Sequence, residues 1–199
     1  MEPPMTDRRS LLKSIAAGFG AALGTSGLMS AANAQSSRIT AYAFSFAGLD
    51  GQDIRLADHA NRPILVVNTA SQCGFTPQYA GLQNLWTRYR DKGLFMVGVP
   101  SNDFGGQEPG GASEIDKTAH GEYGITFPIA AKAVVRGVEP HPFYKWALAE
   151  RPLEGPRWNF HKYLVGRDGH IAASFPSAVE PEDPKLLAAI GKELESKAS

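Results

Sequence analysis

Two continuous apolar runs, Pro63 to Asn68 (P-I-L-V-V-N) and Leu94 to Val99 (L-F-M-V-G-V), constrain most strongly how this chain can fold. Neither alternates with polar residues, so each reads as a strand buried on both faces, in a sheet covered by helices. Two such strands lying parallel require a crossover connection. The residues between them supply it: Thr76 is a candidate N-cap, Pro77 stands at the first helical position, and Tyr79, Leu82, Leu85, Trp86 and Tyr89 recur at helical spacing, with Gly93 past the end. Strand, helix, strand makes a βαβ unit.

Upstream, Tyr42, Phe44 and Phe46 alternate with small residues, and Gly48-Leu49-Asp50-Gly51 turns the chain toward a segment ending near Leu56. That pattern predicts an edge hairpin. Downstream, short helices are expected over 113–122 and 141–150, and a hairpin runs from Tyr163-Leu164-Val165 through Gly166-Arg167-Asp168-Gly169 to 170–175. An amphipathic helix over 184–196 closes the chain. Together these elements predict an α/β protein, a mixed central sheet flanked by helices on both faces.

Composition narrows the function. Lys plus Arg and Asp plus Glu each number 20, so no basic surplus points to nucleic acid. The single cysteine, Cys73, cannot form an internal disulfide. The five histidines (His59, His120, His141, His161, His170) lack the spacing and thiolate company of a zinc site. Neither a metal nor a bound cofactor is expected.

The first 34 residues read as an address. Asp7 to Lys13 (D-R-R-S-L-L-K) precedes a weakly apolar, Gly/Ala-rich stretch and then Ala32-Asn33-Ala34, an A-x-A cleavage site. The Arg8-Arg9 pair resembles a twin-arginine signal, which implies export to a bacterial periplasm and removal of residues 1–34, leaving one domain over 35–199. A retained anchor is the alternative. Gly18, Gly20, Gly24 and Gly27 dilute the apolar run below the 18 or so residues a span needs, so no stable membrane anchor is expected.

Cys73 lies in S-Q-C-G-F-T-P-Q-Y, past the first buried strand and just ahead of the crossover helix. The unpaired N–H groups at a helix start favour a thiolate there, which makes Cys73 a candidate nucleophile, against the alternative of a buried, inert thiol. C-G-F-T lacks the second cysteine of a C-x-x-C motif, so any redox chemistry must pass through a sulfenic acid or a mixed disulfide.

Four segments then resemble, in order and spacing, the glutathione peroxidase family: V-N-T-A-S-Q-C-G-F-T-P-Q-Y (67–79), F-G-G-Q-E-P-G (104–110), Y-G-I-T-F-P (123–128) and W-N-F-H-K-Y-L-V (158–165). The resemblance implies a thioredoxin-like fold and a thiol-dependent peroxidase, active on hydrogen peroxide and organic or lipid hydroperoxides. It places the family's catalytic groups on Cys73, Gln107, Trp158 and Asn159. Amide and indole N–H groups are neutral donors able to hold a thiolate without competing as bases. Taken singly, Gln107 and Asn159 would read as turn residues and Trp158 as a core aromatic. Gly105 and Gly106, lacking a Cβ, are expected to let their loop approach the sulfur.

The departures from the family pattern also carry expectations. Ala119 stands where many Cys-containing members place a resolving cysteine, so a small thiol such as glutathione fits as reductant better than a thioredoxin-type protein. Ser101-Asn102-Asp103 replaces the usual residues ahead of F-G-G-Q and alters the neighbouring contacts. Only eleven residues separate Trp146 from Trp158, shorter than in members that form tetramers, which favours a monomer with an open site. Two other readings stand beside the peroxidase: a sensor or relay that passes Cys73 oxidation to a partner without efficient turnover, and a Cys-His-Asn hydrolase. Arg151, Arg157 and Arg167 are further candidates for binding a thiol's carboxylates.

Overall fold

The computed structural model describes residues 39–196; the expected signal over 1–34 lies outside them. The two apolar runs form β3 (Ile64–Thr69) and β4 (Phe95–Pro100), paired in parallel with Val66 opposite Val97, and β1 (Ser45–Ala47) and β2 (Asp53–Arg55) precede them. The crossover is α1 (Gln78–Tyr89), followed by α2 (Ala112–Asp116), α3 (Pro142–Glu150), β5 (Lys162–Val165), β6 (Ile171–Phe175) and α4 (Pro184–Glu195). Strand order in the main sheet is β4-β3-β5-β6, with β5 antiparallel to both neighbours.

Every residue of β3, β4 and β5 is buried. Because successive side chains point to opposite faces, the strands sort their residues into two cores. Leu65, Val67, Met96 and Leu164 face α1 and α4 through Leu82, Leu85, Leu186 and Ile190. Ile64, Val66, Val97, Tyr163 and Val165 belong to the other, with Phe143 and Ala147 of α3. At about 1.5–3 kcal/mol for each large apolar side chain buried, these two layers dominate the stability of the sheet.

Three expectations need correction. The N-terminal hairpin forms, but β1 and β2 make a separate two-stranded sheet and leave the main sheet's edge to others; residues 41–43 are a single 3-10 turn. The outer side of β4 instead carries an isolated parallel bridge, Gly98 to Ile129, and Gly48 after β1 bridges the next residue, Ala130. The helix over 113–122 splits into α2 and a wider π turn over Lys117–Glu122. Thr76 does not cap α1: Gln78 N and Tyr79 N already donate to the carbonyls of Phe75 and Thr76, and Pro77 has no N–H, so no orphan donor remains for its hydroxyl. His141 and Asp183 do cap α3 and α4, accepting from Phe143 N and Lys185 N.

Among the described residues, no helix is long and apolar enough to cross a membrane, and no cluster of three His, Cys, Asp or Glu side chains is placed to hold a metal.

Candidate active site

Cys73 sits in the turn between β3 and α1, 7% exposed. Thr76 shapes that turn. Its Oγ1 accepts from Cys73 N at 3.1 Å and lies 2.8 and 2.7 Å from the carbonyl oxygens of Ala70 and Cys73, to which it donates. The backbone N–H of Phe75 points at Cys73 Sγ, 3.4 Å away.

The loop carrying Gln107 is fastened to this turn at three points. Gln72 N donates to Gln107 O at 3.0 Å, and Ser101 N to Thr69 O at 3.0 Å. Ser71 donates to the buried Glu108 carboxylate through its backbone N (2.9 Å) and its hydroxyl (3.1 Å). Burial pushes the Glu108 carboxyl above its ordinary range, against the pull of the Ser71 bonds. Lys132 Nζ closes the far side, donating to the carbonyls of Glu108 (3.0 Å) and Gly110 (2.6 Å).

The unusual Ser101-Asn102-Asp103 segment has work in this loop. Ser101 Oγ accepts from Asp103 N, Asn102 Oδ1 from Glu108 N at 2.9 Å, and Asp103 Oδ2 from Val135 N (2.6 Å) and Arg136 N (3.0 Å). Gly105 and Gly106 serve differently than expected. Both adopt left-handed backbone, φ 67° and 65°, which glycine enters at no steric cost. A Cβ at Gly105 would make only ordinary contacts, 3.4 Å to Trp158, and one at Gly106 would meet nothing within 4 Å. The turn geometry, rather than a close approach to sulfur, requires these glycines.

Trp158 and Asn159 come from the segment leading into β5. Phe160, fully buried, holds φ at 62°, a conformation that costs a bulky residue about 1–3 kcal/mol unless its surroundings hold it. Asn68, at the end of β3, supplies that hold: its O accepts from Phe160 N (2.6 Å), its N donates to His161 O (3.2 Å), and its Nδ2 donates to Trp158 O (3.1 Å). Lys162 Nζ donates to Phe160 O at 2.9 Å, and also to Gln78 Oε1 and Val179 O, each at 2.6 Å. This ammonium is fully buried, and burial lowers its pKa to about 8.

The result joins two of the expected site residues directly. Asn159, completely buried, donates from Nδ2 to Gln107 Oε1 at 2.9 Å. Gln107 Nε2 makes no hydrogen bond among the described residues, and neither does the indole N–H of Trp158, which is 39% exposed beside Phe104. Two neutral donors thus stand free, one on the loop tied to the Cys73 turn and one beside Phe104 of that loop. Asn159's own amide nitrogen is engaged with Gln107, while its Oδ1 is buried without a partner. Sequence reasoning named Cys73, Gln107, Trp158 and Asn159, of which the structure bonds Asn159 to Gln107 and ties the Gln107 backbone to Gln72 beside Cys73. It missed Asn68, Glu108, Lys132 and Lys162, whose side chains hold the segments together; only the polar side chains of Asn68 and Lys162 within apolar runs hint at them.

Other candidates fall elsewhere. Among the described residues no histidine hydrogen-bonds Cys73; His161 Nε2 meets Ser174 Oγ at 3.0 Å. Arg151 donates to Ile171 O and Arg167 to Asn61 O, so both brace backbone. Ala119 is the fully buried residue of the π turn itself.

A sheet of this topology with one cysteine at the β3–α1 turn defines a thioredoxin-like protein built for single-cysteine chemistry. The fold is shared at 15% identity and a TM-score of 0.56 with a thioredoxin-family thiol:disulfide interchange protein from Chlorobium tepidum, over 76% of this chain and 92% of that one. The glutathione peroxidase family model matches residues 41–148. The chain is 43% identical over 153 residues to the hydroperoxy fatty acid reductase gpx1 of Synechocystis sp., covering 72% of this chain and 90% of that protein. It is 41% identical over 154 residues to a glutathione peroxidase-like peroxiredoxin of Chlamydomonas reinhardtii, covering 73% and 95%. A crystal structure of Trgpx in apo form superposes with a TM-score of 0.67 at 32% identity, over 82% of this chain and all of that one. The chain belongs to the glutathione peroxidase family and is a thiol-dependent peroxidase, an oxidoreductase whose co-substrate is a thiol rather than a bound cofactor.

Proposed function

We propose that Cys73 is the peroxidatic residue, that Gln107 and Trp158 hold its charge, and that Asn159 orients Gln107. The Gln107 loop bonded to the Cys73 turn, with the N–H groups of Gln107 and Trp158 unengaged among the described residues and the Phe75 N–H facing the sulfur, is the observation that carries this reading. The Cys73 thiolate attacks the distal oxygen of a hydroperoxide, the O–O bond breaks, and the leaving oxygen takes a proton to depart as water or an alcohol, leaving Cys73–SOH. An external thiol condenses with the sulfenic acid, releasing water. A second thiol then cleaves the mixed disulfide and restores Cys73.

Hydrogen peroxide and organic or lipid hydroperoxides are the oxidants of this reading. Glutathione is the favoured reductant, since the chain has no other cysteine to resolve the intermediate; a thioredoxin-type protein acting by its own thiol is the alternative. The protein works as a monomer with an open site, exported through its twin-arginine signal to the periplasm, where it protects against oxidative stress. Stopped-flow oxidation of Cys73 by hydrogen peroxide, followed through Trp158 fluorescence, tests the assignment. The expected result is a single second-order phase lost in Cys73→Ser and slowed in Gln107→Ala; an unchanged rate in Gln107→Ala refutes the role given to that residue. A sensor would show the same phase with no steady-state turnover in the presence of thiol.

A further inference from the structure

Glu108 carries a charge that the chemistry of Cys73 does not ask for. It is 1% exposed, and its carboxylate lies against the turn of the nucleophile, accepting at Oε2 from Ser71 N (2.9 Å) and Ser71 Oγ (3.1 Å). No Lys or Arg side chain pairs with it among the described residues. Lys132 directs its ammonium at the carbonyls of Glu108, Pro109 and Gly110 instead. A buried carboxylate so placed is unfavourable on two counts, lost hydration and repulsion of a thiolate forming close by in the chain. A neutral acceptor would satisfy Ser71 with neither penalty.

What the charge adds is grip. A hydrogen bond to an ionised acceptor is roughly twice as strong as one between neutral groups, and here two converge on one oxygen. The residues they join flank the reacting ones. Glu108 directly follows Gln107, and Ser71 stands just ahead of Gln72 and Cys73. Alongside, Gln72 N donates to Gln107 O at 3.0 Å, and at the loop's start Ser101 N donates to Thr69 O. The Gln107 side chain is fixed from the other side through Oε1, by Asn159 Nδ2. Where its backbone stands against the Cys73 turn is therefore set by one backbone bond and by the Glu108 carboxylate.

We infer that Glu108 is a positioning residue for the peroxidase step: its ionised carboxylate holds the Gln107 loop against the Cys73 turn, and protonating it slackens that hold and slows oxidation of Cys73. The inference rests on the peroxidase reading of Cys73 and Gln107, and adds control of their alignment by acid. Burial makes the carboxyl easier to protonate than an exposed glutamate, against the pull of Ser71 and of the Lys132 charge. The other titratable group facing it is Tyr79 of α1, whose ionisation burial and the Glu108 charge both oppose. The hold is thus present at neutral pH and is lost as pH falls through a range above the ordinary carboxylate one.

The test follows Cys73 oxidation by hydrogen peroxide in stopped flow on the whole protein. The thiolate fraction is read from its ultraviolet absorbance at each pH, so that the rate is expressed per thiolate. Wild type is expected to lose rate per thiolate as pH falls through the Glu108 titration. Glu108→Gln has the shape of the protonated acid, and is expected to oxidise slowly with a rate per thiolate that stays constant over that range. Glu108→Ala removes both bonds and is expected to be slower still, by up to about 10²-fold, the loss that a misplacement of about 1 Å can cause. In a Gln107→Ala background, Glu108→Ala is expected to add little, because the group it positions is already gone. A rate per thiolate that is flat with pH in wild type, or a wild-type pH profile retained in Glu108→Gln, overturns the inference. So does an equal loss from Glu108→Ala with and without Gln107, which assigns Glu108 to general support of the turn. Wild type whose Cys73 is not oxidised by hydrogen peroxide would instead defeat the peroxidase reading itself.

Discussion

His161 lies one residue beyond the strained Phe160, and its burial makes the turn that carries Trp158 and Asn159 sensitive to acid. Its ring is 5% exposed, packs against Tyr163 with centroids 4.7 Å apart and meets Ser174 Oγ at 3.0 Å. Burial, reinforced by the Lys162 charge, lowers its pKa from 6.5 to about 4. Above pH 6.5 the ring is neutral in folded and unfolded chains alike, and its contribution to stability is fully present. As pH falls, the unfolded chain accepts a proton that the folded one refuses until about pH 4, so stability is lost across that window and levels off below it. The gap corresponds to about 3 kcal/mol, a large part of a typical domain's 5–15 kcal/mol. Urea unfolding at half-unit pH steps from 7.5 to 3.5 (assay settings of about that spacing), run on wild type and His161→Phe, isolates this contribution because the carboxylates are common to both. Phe is close in size, and Ser174 keeps its bond to Glu154 O. The wild-type-minus-variant curve is expected to fall by about 3 kcal/mol between neutral and acid pH; a flat difference curve refutes the reasoning.

Lys162 predicts a dependence of the same sign on the alkaline side. With its pKa lowered from 10.5 to about 8, the folded chain sheds a proton that the unfolded one keeps, so wild type gains stability as pH rises through about 8. Lys162→Met is expected to lack that gain in the same unfolding assay, and to slow Cys73 oxidation because Phe160 O loses its donor. Thr76→Val leaves Cys73 N and the Ala70 carbonyl unpaired in a buried turn, and is expected to cost about 1–3 kcal/mol in thermal or urea unfolding. Gln107→Ala is expected to slow Cys73 oxidation about 10²–10³-fold, as loss of a preorganised donor does. If Asn159 acts through Gln107, adding Asn159→Ala to that variant costs little more, as a double-mutant cycle would read out.

The frame of the fold was legible because burial on both faces writes itself into sequence: β3, β4 and the periodic α1 stand where the apolar runs placed them. The N-terminal hairpin was legible as a hairpin only, since nothing local specifies which sheet a short strand joins. Thr76 misled for a related reason. A Thr-Pro pair before a periodic run has the form of a helix start, yet the hydroxyl's partner was decided by the tight turn at Cys73. In the site, motif resemblance supplied Cys73, Gln107, Trp158 and Asn159, and the structure adds that Asn159 and Gln107 bond each other. The bracing by Asn68, Glu108, Lys132 and Lys162 joins residues far apart in the chain, and spacing alone carries no trace of it.

The most direct test of the central claim is steady-state consumption of hydrogen peroxide with glutathione by wild type and by Cys73→Ser. Many turnovers per wild-type protein and none in the variant are predicted. Turnover persisting in Cys73→Ser, or wild type stopping after one equivalent with either glutathione or a reduced thioredoxin system, would contradict it.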